Sequence, residues 1–138
     1  MKKLTIFTYG AAKSSPGAAA VGVLVTDEKG DKVIDLVEGI GNATSDYAQY
    51  FAVVRALQVV ADRLGDKASK MEIELRLESD LVFGNLTAQL QIKNVGLIGH
   101  FIEIFNLRVA HFPTMKVIHI PESQNQEAHT LVETLLDA

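Results

Sequence analysis

Three strand-like runs open the chain, and this opening limits what it can fold into. Residues 3–9, 19–26 and 32–40 each read as a strand, the second being Ala19-Ala20-Val21-Gly22-Val23-Leu24-Val25-Thr26. The second and third are joined by Glu28-Lys29-Gly30-Asp31. Two β-rich runs across a short Gly-containing link make a hairpin. The first and second are joined through Ser14-Ser15-Pro16-Gly17, a turn signal in its own right. Strands connected so tightly form an antiparallel meander.

The period then changes. Residues 44–64 read as a long helix, with Thr44, Ser45 or Asp46 as its cap, Arg55, Gln58 and Asp62 as its solvated stripe, and Gly65 as its end. Residues 71–79 alternate: Met71, Ile73, Leu75 and Leu77 face one way, Glu72, Glu74, Arg76 and Glu78 the other. That is a strand with one core face and one polar face. A short helical stretch follows Asp80. Residues 95–111 form a second helical region, apolar on nearly every side, and residues 115–120 a short strand broken by Pro121. The last helix carries Ala128, Leu131, Val132, Leu135 and Leu136, one apolar stripe. A meander followed by alternating helix and strand predicts an α/β fold, a mixed sheet with helices on its faces, as one domain over residues 1–138.

Charge and cysteine usage narrow the function classes. The formal net charge is −4 and the 13 basic residues are scattered, so no basic run marks the chain as a nucleic-acid binder. The chain has no cysteine, which excludes disulfides, thiolate metal sites and thiol catalysis and fits a reducing, cytoplasmic setting. The start, with Lys2 and Lys3 but no sustained apolar run, does not read as a signal peptide, and no stretch is long enough to span a membrane.

Four motifs, in order, carry a family resemblance. Thr8-Tyr9-Gly10 with Pro16-Gly17 is similar to an Asp-Gly step and Pro-Gly loop. Ala43-Thr44-Ser45-Asp46-Tyr47-Ala48-Gln49-Tyr50 is similar to a Thr-Asn-Asn-like cap with an Ala-Glu-Tyr step. Glu78-Ser79-Asp80-Leu81-Val82 is similar to a Ser-Asp strand end. His119-Ile120-Pro121-Glu122, Asn125 and Glu127-Ala128-His129 are similar to a final strand and helix. Together they resemble the type I ribonuclease H and reverse-transcriptase-like family. The resemblance implies a ribonuclease H-like fold: a five-stranded mixed sheet, antiparallel over strands 1–3 and parallel over strands 4–5, with helices on both faces.

The resemblance also implies a chemistry, metal-dependent cleavage of RNA–DNA hybrids. In it two Mg²⁺ ions roughly 3.5–4 Å apart stabilise the attacking and leaving oxygens, and Mn²⁺ can stand in for Mg²⁺. Four acidic residues hold them, and the matching positions here are Tyr9, Gln49, Asp80 and His129. Mg²⁺ is a hard ion that takes carboxylate and water oxygens. Tyr9 is neutral at pH 7, with an ordinary pKa of about 10, and its ring is expected to fill ion space. Gln49 keeps an oxygen but no charge, and His129 is a nitrogen ligand suited to other metals. These are read as vestigial positions of an inactive relative that serves as a nucleic-acid-binding or protein-interaction module without cofactor. The alternative is an active hybrid ribonuclease with an altered metal site.

Plainer readings stand beside these. Gln49 is either a remnant ligand position or a helix-start glutamine bonded to nearby backbone. Asp80 is a solvated acidic strand edge or a cap for the short helix after it, or it keeps an ionic role. His129 is either packed and hydrogen-bonded or, with Asp80 and His119 or water, holds one transition-metal ion. Lys13, Ser14, Ser15 and Thr44 are the candidate contacts to a hybrid or duplex, or ordinary turn residues. The apolar region 95–111 is either a broken helix pair packed on the sheet or a homodimer interface.

Overall fold

The computed structural model describes residues 2–138. Five strands, β1 (Lys3–Ala12), β2 (Gly17–Thr26), β3 (Lys32–Ala43), β4 (Glu72–Leu77) and β5 (Lys116–His119), form one sheet in the order β3-β2-β1-β4-β5. β1, β2 and β3 pair antiparallel, while β4 runs parallel to both β1 and β5. The helices are α1 (Ser45–Leu64), α2 (Asp80–Leu86), α3 (Ile98–His111) and α4 (Gln126–Leu136). This is the predicted mixed sheet. Several strand bounds differ from the expected ones; β1 runs on to Ala12, and β4 stops at Leu77 because Ser79 already caps α2.

The alternation of each strand decides which helix it meets. On β4, Ile73, Leu75 and Leu77 are buried in one cluster with Leu57 and Val60 of α1. On β2, Val23 and Val25 join the same cluster. Gly22, out of phase with both, points the other way: a Cβ there would lie 2.9 Å from Val132 Cγ2 and 3.1 Å from the Ala128 carbonyl of α4. α1 and α4 therefore cover opposite faces. Full burial of a side chain such as Ile6 or Leu57 contributes about 1.5–3 kcal/mol.

α1 begins at one of the three predicted caps. Thr44 is the N-cap, its Oγ1 accepting a hydrogen bond from Tyr47 N at 3.1 Å, and Gly65 ends the helix at φ 55°. Small residues bring the helix close to β1: a Cβ on Gly10 would overlap the Ala48 carbonyl and sit 2.7 Å from Gln49 N. The predicted solvated stripe is only partly solvated. Asp62 is exposed, but Arg55 pairs with Glu38 of β3 at 2.6 Å and Gln58 donates to Glu103 of α3 at 2.7 Å.

Region 95–111 is not a broken pair packed on the sheet. A short turn at Val95–Leu97 leads into one helix, α3, which lies on α1 and buries Ile104. Its other face stays open. No helix among the described residues is long and apolar enough to cross a membrane.

Candidate functional site

The site lies where the ends of β1 and β4 meet the start of α4. Tyr9 leaves β1 on the α4 side, and its ring lies on the imidazole of His129, centroids 3.6 Å apart and planes 20° from parallel. His129 Nε2 donates to Glu78 Oε2 at 2.6 Å, an assignment that follows from the acceptor-only carboxylate. Its Nδ1 faces Glu133 at 3.4 Å and Glu122 at 3.8 Å. Asn125, 2% exposed, donates through Nδ2 to the same Glu78 oxygen at 2.7 Å and to the Thr8 carbonyl at 3.0 Å. One buried amide thus ties β1, β4 and α4 together.

The electrostatics keep the phenol neutral. Burial pushes the Tyr9 hydroxyl above its ordinary value, and the charges of Glu78, Glu133 and Glu122 push it further the same way. Gln49 reaches the strand from the other helix: its Oε1 accepts from Gly10 N at 3.2 Å. That is the plainer reading of Gln49, a helix-start glutamine bonded to nearby backbone, and the residue it holds follows Tyr9.

Asp80 stands at the start of α2 with its side chain 91% exposed, a solvated strand-edge carboxylate whose partner is His119 Nε2 at 2.8 Å. It is not the cap of α2; Ser79 Oγ accepts from Val82 N at 3.1 Å. The carboxylate that joins Tyr9 and His129 is Glu78. The supposed metal pair of Asp80 and His129, with His119, is likewise divided: His129 sits on Glu78, and His119 on Asp80 and the Glu78 carbonyl. The sequence does hold the signal. Glu78 is in phase with Glu72 and Glu74 on the polar face of β4, and that phase ends where the strand does.

The candidate nucleic-acid contacts line the β1–β2 loop and the start of α1. Ser15 Oγ accepts from Ser45 N at 3.1 Å, Thr44 Oγ1 caps the helix, and Ser14 Oγ donates to the Pro16 carbonyl at 3.0 Å. These hydroxyls hold the loop against the helix start. Lys13 is exposed beside them.

Two Mg²⁺ ions do not fit the donors gathered here. Glu78 is the carboxylate bonded inside the group, and one of its oxygens already accepts two hydrogen bonds, while Glu133 and Glu122 lie outside it on the His129 Nδ1 side. The Gln49 oxygen is engaged by Gly10, the phenol is held neutral, and imidazole nitrogen is a poor Mg²⁺ ligand.

Comparison with known proteins places the scaffold. The model of the reverse transcriptase-like family matches residues 7–134. The chain belongs to the reverse transcriptase-like family. Ribonuclease HI of Halobacterium salinarum is 32% identical over 128 residues, covering 93% of this chain and 61% of that protein, so the chain spans about three-fifths of its length. The structure of LC11-RNase H1, isolated from compost by a metagenomic approach, superposes with a TM-score of 0.93 at 34% identity, over 99% of this chain and 97% of that one. The same relative in complex with an RNA/DNA hybrid gives 0.91 at 34% identity, over 97% and 96%. The fold is ribonuclease H-like.

Proposed function

We propose that this reverse transcriptase-like protein is a binding module that does not cut nucleic acid by the two-metal route. The observation that carries the reading is the Tyr9–His129 stack bonded to Glu78. Two-metal hydrolysis needs ions held by carboxylates on both sides of the scissile phosphate. In this chain an aromatic ring, an imidazole and an amide stand at three of the positions that the resemblance assigns to those carboxylates, and each is engaged by a neighbour in the protein. A hybrid-cleavage assay with Mg²⁺ or Mn²⁺ tests the reading, and the expected result is no product above the metal-free blank.

The structure of LC11-RNase H1 with an RNA/DNA hybrid favours hybrid as the ligand of such a module. Lys13, Ser14, Ser15 and Thr44 lie on one rim, where backbone-directed contacts to a duplex would be made. Facing that, Glu78, Glu122 and Glu133 crowd the site without a metal to offset them, so binding is weak. A mobility-shift titration at two salt concentrations measures it. Affinity that falls steeply with salt supports hybrid as the ligand. Binding absent even at low salt leaves protein interaction as the module's use.

A further inference from the structure

The open face of α3 has a spacing that points to its partner. Ile98, Ile102, Phe105 and Val109 of α3 follow one another at steps of four, three and four and are 38%, 52%, 57% and 65% exposed, and Val95, in the turn that leads into the helix, is 79% exposed. A stripe with alternating steps of three and four is the seam by which one helix packs on another. The residues interspersed on the exposed side, Gly99, Asn106 and Ala110, carry no charge.

We infer that a second copy of this chain covers this face, as an antiparallel pair of α3 helices about a two-fold axis at Ile102. The first argument is size. The five side chains leave on the order of 500 Å² open, near the upper end of what a monomer carries as one apolar patch. That is more than half of the roughly 800 Å² each partner contributes to a standard interface. The second argument is self-complementarity, which a closed two-fold contact demands because the same patch must fit itself. Ile102 is the midpoint of the stripe. An axis there sets Phe105 of one copy against Gly99 of the other, and Ile98 against Asn106, with Val109 directed to the partner's helix start. A Cβ on Gly99 would meet nothing within 4 Å, so the space before it is open for a large ring. A groove of about 480 Å³ also runs beside the ridge, lined by Gly99, Ile102, Glu103, Asn106, Leu107 and Ala110. Ridge entering groove is how helices interdigitate. Antiparallel pairing further sets the two helix dipoles against each other favourably.

Sedimentation equilibrium at micromolar concentration reads the mass. The expected value is twice the 15.0 kDa of one chain. Ile102→Glu puts two carboxylates face to face on the axis and is expected to weaken the dimer at least about 30-fold, the scale of a hot-spot loss. Circular dichroism confirms that this variant stays folded, since the position is exposed. Register is tested with Ile102→Cys in a chain that has no other cysteine. Under copper–phenanthroline oxidation, two thiols across the axis give one disulfide and a linked dimer. A monomer at micromolar concentration overturns the inference and gives the face to a different partner. So does a dimer untouched by Ile102→Glu, or one in which Cys at 102 fails to cross-link.

Discussion

The imidazole of His129 lies flat on the ring of Tyr9 while its Nε2 holds Glu78 at 2.6 Å. Two of the residues that the resemblance matches to acidic positions thus meet each other, and Glu78 is the hydrogen-bond acceptor of the imidazole. This end of the sheet is closed by packing and hydrogen bonds.

That closure has a stability consequence. His129→Ala removes the stack and leaves Glu78 with Asn125 alone, in a place where the Glu78 side chain is 16% exposed. The expected loss is about 1–3 kcal/mol, seen as a lower Tm in thermal melts. Tyr9→Phe keeps the ring contact and is expected to change stability by less than about 1 kcal/mol. Equal effects from the two variants would argue against the stack.

The close approach of β1 and α1 gives a sharper stability test. Gly10→Ala places a methyl group against the Ala48 carbonyl and 2.7 Å from Gln49 N, both backbone groups that cannot swing aside. Strand or helix must shift, at a cost of at least about 2 kcal/mol. Urea denaturation of the variant measures it. A midpoint equal to wild type would mean that the helix does not press on the strand at Gly10.

Acid stability is expected to depend on Glu74. This carboxylate, 8% exposed, is paired with Lys3 at 2.5 Å and Arg76 at 2.9 Å. The Lys3 hydrogen bond leads in holding its pKa below the ordinary value of 4.5, against the opposing effect of burial. The folded state therefore releases this proton more readily than the unfolded state. Its stabilisation is fully present above about pH 4.5 and is lost as pH falls through the depressed folded value. Glu74→Gln is expected to cost about 1–2 kcal/mol at neutral pH and progressively less in acid. A constant difference between the two proteins from neutral pH to strong acid would contradict this.

Restoring charge should restore ion binding. With Glu78 kept, Tyr9→Asp, Gln49→Glu and His129→Asp together add three carboxylates to the site. The triple variant is expected to be less stable than wild type without metal, because like charges crowd one site. Millimolar Mg²⁺ should then raise its Tm by a few degrees through binding to the folded state. Wild type should show no such rise. An identical Mg²⁺ response in both would mean that the substitutions did not remove an ion site.

Much of the fold is legible in the sequence itself. The turn residues and the alternation of β4 are short-range signals, and the element order they define leaves few topologies. Asp80 stays apart from the Tyr9–His129 group for a local reason. Alternation along 71–79 extends in phase to residue 80, but Ser79 has already turned the chain into a helix there. Glu78, two residues earlier, still follows the strand's phase and points at α4. The Tyr9–His129 stack joins residues 120 positions apart. Periodicity says which face each side chain takes, but how two rings meet across a sheet and a helix is a matter of tertiary packing. Arg55 and Gln58 show the same limit: they look solvated along α1, and their partners Glu38 and Glu103 come from distant segments.

The most direct test of the central claim is cleavage of a labelled RNA–DNA hybrid by the wild-type protein, with Mg²⁺ or Mn²⁺ and with the Glu78→Gln variant run alongside. Product no higher than the metal-free blank is expected from either protein. Hybrid-specific cleavage by wild type that is lost in Glu78→Gln would contradict the claim and return this site to metal-dependent catalysis.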